Sequence, residues 1–150
     1  MMKKILTAVL LFCAVILGAT APEGWLTDFD QAKTLAQKQN KKIMLLFTGS
    51  DWCGWCIKLN KDVLSKSDFN RIARKHFVLL YLDSPHKKPM PAAQEQYNQQ
   101  IRRKLRLGGG VPTAVIMDPN GNQIGRIGGY AKAPVYLKRL KQALKSAGRK

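Results

Sequence analysis

The chain has 150 residues, enough for one domain with a substantial core and no obvious room for a second. Its 26 lysines and arginines against 9 acidic residues give a formal charge of +17, a balance that attracts nucleic acid, anionic membrane or acidic protein. The basic residues are spread over most segments without any nucleic-acid motif, so no nucleic acid is expected as a partner.

Residues 1–21 place Lys3 and Lys4 before an apolar run from Ile5 to Leu17 and close with Ala19-Thr20-Ala21, the small-x-small pattern of signal cleavage. The apolar run is shorter than the roughly 20 residues that span a bilayer. Residues 1–21 are therefore read as a signal peptide that is removed and 22–150 as the mature domain, with an uncleaved anchor as the alternative. Cys13 lies inside the apolar run with no small residue before it and is given no function. Loss of Lys3 and Lys4 lowers the charge from +17 to +15, and two of the three cysteines remain. In an exported protein that count is informative, because oxidising compartments favour structural disulfides; here cysteine is kept for one motif.

Trp25 fits a short edge strand or a cover for the core. Thr27-Asp28-Phe29-Asp30 reads as a helix start capped by Thr27, and Phe29, Ala32 and Ala36 recur at helical spacing to about Gln39. Ile43-Met44-Leu45-Leu46-Phe47 is apolar at every position, as a strand covered on both faces must be. It ends in Thr48-Gly49-Ser50-Asp51-Trp52-Cys53-Gly54-Trp55-Cys56. A strand delivering Cys53 to the first turn of a helix puts its sulfur among unpaired N–H groups at the positive end of the dipole. Such an environment lowers a cysteine pKa from about 8.5 to roughly 3.5–7.5, and Cys56, one turn on, is placed to resolve a mixed disulfide.

Two other readings of the pair are weaker. A zinc site needs four ligands, and His76, His86 and Cys13 stand in no ligand-like spacing. A structural disulfide would close a very short loop and add little stability. Redox chemistry is preferred, with no metal and no cofactor.

The active-site helix is expected to run to about Leu64 with Ile57, Val63 and Leu64 inward and Lys58, Asn60, Lys61 and Asp62 outward. Ser67-Asp68-Phe69 restarts a helix, and Phe77 to Leu82 is a second buried strand, parallel to the first across a right-handed helical crossover. His76 is a boundary residue. Ser84 to Pro91, with Pro85, Pro89 and Pro91, reads as an exposed loop in which His86 is solvated. Ala93, Tyr97, Ile101 and Leu105 mark a third helix whose Arg102, Arg103, Lys104 and Arg106 form a solvated face. Gly108-Gly109-Gly110 lacks the lysine and spacing of a phosphate loop; it is expected to end the helix and let the backbone approach the site. Thr113 to Met117 is a strand, Asp118-Pro119-Asn120-Gly121 a turn, and Gln123 to Ile127 the hairpin partner, broken by Gly128-Gly129. Pro134 opens a last helix with Leu137, Leu140, Leu144 and Ala147 on one face, ending in the basic tail Lys145 to Lys150.

Trp52-Cys53-Gly54-Trp55-Cys56 after an apolar strand, with Gly110-Val111-Pro112-Thr113 downstream, resembles the active site of the thioredoxin superfamily. The string from Phe47 to Leu59 is similar to its secreted, single-domain members, and the likeness covers nearly the whole mature chain. It implies a thioredoxin-like α/β fold, a mixed central β-sheet flanked by helices on both faces. It further implies a periplasmic protein disulfide reductase with Cys53 and Cys56 as the redox-active pair and Trp52, Gly54, Trp55, Val111 and Pro112 against substrate. An oxidase or isomerase of the same compartment stays open, as does a redox-inert peptide-binding module. The implied partners are disulfide-containing exported proteins and a redox partner, with a membrane thiol–disulfide protein as one candidate; the chain is expected as a monomer. X-Pro bonds are cis in only about 5–6% of folded cases, but the resemblance implies a cis Val111-Pro112 bond facing the cysteines. The chain departs from the superfamily at Phe47, where a buried aspartate often assists proton transfer. Asp51 and Lys58 are near in sequence, and whether either acts on the thiols is left open.

Overall fold

The computed structural model describes residues 21–146. Residues 1–20, with Cys13 and nearly all of the expected leader, and 147–150, with Ala147 and the end of the basic tail, lie outside the described residues.

Helices and strands alternate in the order β1 (Trp25–Leu26), α1 (Phe29–Gln39), β2 (Lys42–Thr48), α2 (Gly54–Leu59), α3 (Ser67–His76), β3 (Phe77–Asp83), α4 (Ala92–Lys104), β4 (Thr113–Met117), β5 (Gln123–Gly128) and α5 (Ala133–Ser146). The sheet runs β1-β3-β2-β4-β5, parallel for β1, β3 and β2 and antiparallel through β4 and β5. This is the expected thioredoxin-like architecture, and Trp25 belongs to the edge strand.

The unbroken apolar run of β2 is explained by its central place. Side chains alternate across a strand, so Ile43, Leu45 and Phe47 enter one core with Ala32, Ala36 and Ile101, beneath α1 and α4. Met44 and Leu46 enter the other with Leu59, Phe69, Tyr136 and Leu140, beneath α2, α3 and α5. These five apolar β2 side chains are at most 2% exposed, each burial contributing about 1.5–3 kcal/mol.

Four local expectations are corrected. The cap of α1 is Asp28, whose Oδ1 accepts the Gln31 N–H at 2.7 Å; a carboxylate also complements the helix dipole, which a threonine hydroxyl does not. The carbonyl of Thr27 instead accepts the Gln94 side chain. Ile57 is 48% exposed, and Leu59, at 1%, takes the inward place, because the buried Cys56 sets the phase and Leu59 and Val63 follow at i+3 and i+7. The helical path does reach Leu64, but through a wider π turn over Asn60–Leu64. Finally, α4 stops before its glycines. Arg106 takes the left-handed conformation at φ 49°, Leu107 N–H bonds the Arg102 carbonyl, and a Cβ on Gly108, Gly109 or Gly110 would meet nothing within 4 Å. Arg102 is not simply solvated: its guanidinium lies 4.9 Å from the Phe47 ring centroid and donates to the Gly108 carbonyl.

The hairpin follows its turn chemistry, with Asp118 Oδ1 accepting the N–H groups of Asn120 and Asn122 and Gly121 at φ 88°. In α5 the deepest residue is Tyr136, 0% exposed like Leu140. Its hydroxyl has no hydrogen-bond partner among the described residues, and burial raises its pKa. A buried unpaired hydroxyl opposes folding by about 1–3 kcal/mol. Tyr136→Phe is therefore expected to stabilise the protein by about 1 kcal/mol in urea unfolding; a loss of that size would mean that the hydroxyl is paired.

Candidate active site

The register of β2 builds the site. Phe47 lies opposite Leu82 on one side and Thr113 on the other, and Thr48 lies opposite Asp83. The strand's end therefore meets both the chain leaving β3 and the chain entering β4. Cys53 is the N-cap of α2, with its sulfur accepting the Cys56 N–H at 3.2 Å. Cys53 and Cys56 form a disulfide with Cα atoms 5.2 Å apart. Both are buried, Cys53 at 7% exposed and Cys56 at 3%. The Gly49 N–H points at the Cys56 sulfur from 3.5 Å.

Val111-Pro112 is cis, and the Val111 carbonyl oxygen lies 3.7 Å from the Cys53 sulfur. The Pro112 carbonyl accepts the Gly129 N–H at 2.8 Å. Trp55, Val111, Pro112, Gly129 and Tyr130 line an open depression of about 240 Å³. Trp55 is 60% exposed and stacks on Tyr130 at 5.5 Å. Tyr130 donates to Asp62 Oδ2, a bond that raises its pKa, and Lys58 Nζ sits 5.4 Å from the same ring. The structure thus unites Cys53, Cys56, Trp55, Val111 and Pro112 and adds Tyr130, which follows the glycines that break β5 and carries no motif. Gly54 is exposed at the start of α2 with no neighbour that a Cβ would meet.

Trp52 turns the other way. Its Nε1–H donates to the Ser84 carbonyl at 2.7 Å, and its ring stacks on His86 at 4.4 Å. It also lies over Gly49, where a Cβ would come within 2.5 Å of the indole. His86 is accordingly not simply solvated, which corrects the expectation for this loop. The cause is Asp51, whose carboxylate accepts the N–H groups of His86, Lys87 and Lys88 at 2.8–2.9 Å. These bonds, that of His86 first, hold the Asp51 carboxyl below its ordinary value.

No carboxylate occupies the Phe47 position, but one lies next to it across the sheet. Asp83, 9% exposed, accepts the Ser50 N–H at 2.9 Å, the Ser50 hydroxyl at 2.5 Å and the Ser84 N–H at 2.9 Å. Asn98 from α4 donates to the Asp83 carbonyl. Burial, then the Asp83 charge, push the neighbouring Tyr81 phenol up to about 12.

Residues 29–144 match the thioredoxin-like domain family. The disulfide bond reductase DsbH of Chlamydia pneumoniae is 35% identical over 119 residues, covering 79% of this chain and 71% of that protein. The thioredoxin-related protein DsbJ of the same organism is 24% identical over 106 residues, 71% of this chain and 30% of its own. The solved structure of a DsbH oxidoreductase superposes with a TM-score of 0.72 at 33% identity, covering 86% of this chain and 92% of that one.

The lowered Asp51 pKa makes the bonds to the 86–88 amides fully stabilising above the ordinary carboxylate pKa of 3.8, and that stabilisation is lost as pH falls through the lower folded value. Protection of the His86, Lys87 and Lys88 amides, measured as exchange relative to the intrinsic rate at each pH, is therefore expected to fall on acidification below that range and to be absent in Asp51→Ala; protection that persists in the variant would remove Asp51 as the loop's anchor.

Proposed function

The chain belongs to the thioredoxin-like domain family and is a thiol–disulfide oxidoreductase, and from that premise we propose that it reduces protein disulfides in an exported compartment through Cys53 and Cys56. The observation that carries the reading is the Cys53 sulfur at a helix start, accepting the Cys56 N–H, with the Cys56 sulfur buried one turn behind.

In the reduced protein Cys53 is the nucleophile. As a thiolate it gains from the helix start and from a charge-assisted N–H bond. It attacks one sulfur of a substrate disulfide and displaces the other as a thiolate, leaving a mixed disulfide. Cys56 then attacks Cys53, the protein acquires the Cys53–Cys56 bond and the substrate leaves reduced. Trp55, Val111, Pro112 and Tyr130 offer the extended substrate an apolar rim, and the Val111 backbone beside Cys53 offers it main-chain groups to pair with. Gly54 leaves the approach to Cys53 open, and Trp52 acts by holding the 84–88 loop beside it.

The surroundings of Cys53 favour reduction over oxidation. The single N–H on its sulfur is opposed by the Val111 carbonyl at 3.7 Å, and no cationic side chain is hydrogen-bonded to either sulfur among the described residues. That balance stabilises the thiolate modestly, short of the strongly activated cysteines, of pKa about 3.5, that make strong oxidants. The leader-like residues 1–21 support export, and the likeness to DsbH and DsbJ supports a redox role alongside other disulfide-handling proteins. Disulfide-bonded exported proteins are the substrates this reading requires, and a second thiol–disulfide protein must supply the electrons.

Cys53→Ala is expected to abolish reduction of insulin disulfides, and Cys56→Ser to accumulate mixed disulfides through Cys53. Equal activity in Cys53→Ala and the parent protein, or trapping through neither cysteine, would contradict the assignment. Alkylation of Cys53 in the reduced protein is expected to follow an apparent pKa clearly below the free-cysteine reference of about 8.5; a value at that reference would remove the activated nucleophile.

A further inference from the structure

The resolving step leaves one proton to place. Cys56 is 3% exposed, so a thiol there cannot give its proton directly to bulk water. Behind it lies a cavity of about 80 Å³, lined by Cys56, Thr48, Ser50, Asn60 and Tyr81 among others. One water needs roughly 10–15 Å³ by this measure and two to four polar partners, so the space suits a short water chain. Ser50, Asn60 and Tyr81 also line a second cavity of about 420 Å³, which Asp83 and Lys88 share. The two meet at Ser50, whose hydroxyl donates to Asp83 Oδ2.

We propose that Asp83 receives, through Ser50 and water in the smaller cavity, the proton that Cys56 releases when it attacks the Cys53 mixed disulfide. The proposal rests on the reading of Cys56 as the resolving thiol. In this step the Cys56 S–H bond breaks and its electron pair forms the Cys53–Cys56 bond. The Cys53–substrate S–S bond breaks, and its pair leaves on the substrate sulfur as a thiolate. The proton passes to the Asp83 carboxylate and onward to solvent through the larger cavity, while the substrate thiolate takes a proton from solvent. The dithiol has lost two electrons and the substrate disulfide has gained them.

Three features suit Asp83 to this role. Its side-chain oxygens act only as acceptors, from Ser50 N–H, Ser50 hydroxyl and Ser84 N–H. The other carboxylates near the site are committed elsewhere, Asp51 to the 86–88 amides and Asp62 to Tyr130. Tyr81 keeps its phenolic proton across the working range and so supplies a neutral donor to the cavity wall. The titratable groups lining the larger cavity with Asp83 are Tyr81 from its own strand and Lys88 from the following loop, and Cys56 lies beyond Ser50 on the smaller cavity.

The test loads Cys53 of the reduced protein with a chromophoric aryl thiol and follows its release by Cys56 as a function of pH. At neutral pH, Asp83→Asn and Ser50→Ala are each expected to slow release by about 10²-fold, the low end of what a positioned proton acceptor contributes. The loss should shrink as pH rises and hydroxide takes over, while alkylation of Cys53 stays within about twofold of the parent rate. An unchanged release rate in either folded variant, or a slowing that is equal at every pH, overturns the relay. Ser50→Ala leaves Asp83 in place and decides the matter if Asp83→Asn does not fold. If the parent protein releases the aryl thiol no faster than Cys56→Ser does, the reading of Cys56 as resolving thiol falls and the relay with it.

Discussion

One strand held from both sides fixes everything else. Because β2 pairs in parallel with β3 and antiparallel with β4, its last residues sit beside Asp83 on one flank and Thr113 on the other. Sheet hydrogen bonds admit only discrete registers, and a slip of one residue would turn every side chain to the opposite face. With five consecutive buried apolar residues in β2, such a slip exchanges the two cores. The cysteines, the Val111-Pro112 segment and the Asp83–Ser50 pair are therefore brought together by core packing, and no contact among them has to hold the assembly.

The active-site side chains divide between the two flanks. Toward β4, exposed Trp55, half-buried Tyr130 and buried Pro112 line an open apolar depression on the Cys53 side. Toward β3, Trp52, Asp51 and His86 tie the loop after β3 to the start of α2. One flank is open to a partner chain and the other is closed by its own bonds. The acidic residues serve this internal bracing: Asp28 caps α1, Asp51 holds a loop, Asp62 anchors Tyr130 and Asp83 anchors Ser50. Asp68 is paired with Arg71, and the excess of lysine and arginine over all acidic residues, +15 once Lys3 and Lys4 are left out, acts outward as a field favouring acidic partners.

The features readable in advance were those encoded by neighbours in sequence. The all-apolar β2, the Cys53-x-x-Cys56 spacing and the Asp118–Gly121 turn each carry their cause within a few residues, and each stands where expected. What escaped depends mostly on pairs far apart in the chain, and otherwise on how a side chain turns once the backbone is folded. Asp51 reads as a solvated charge until the backbone of residues 86–88 arrives, 35 or more positions later. Tyr130 becomes part of the site through Trp55 and Asp62, the latter 68 positions away. Gly49 has a steric reason only once Trp52 folds over it. Ile57 and Leu59 were exchanged because periodicity alone leaves helix phase free by one residue, and the buried Cys56 settles it. At Phe47 the sequence shows the carboxylate missing, whereas the nearby Asp83 is visible only through the β2–β3 register.

The claim that the chain is a reductase rests on a thiolate stabilised enough to react but not enough to make the disulfide a strong oxidant. Equilibrating the Cys53–Cys56 couple against a redox buffer of known poise measures that balance directly. The account predicts a potential near the thioredoxin value of about −270 mV; a potential near about −120 mV, that of a strong disulfide donor, would contradict it.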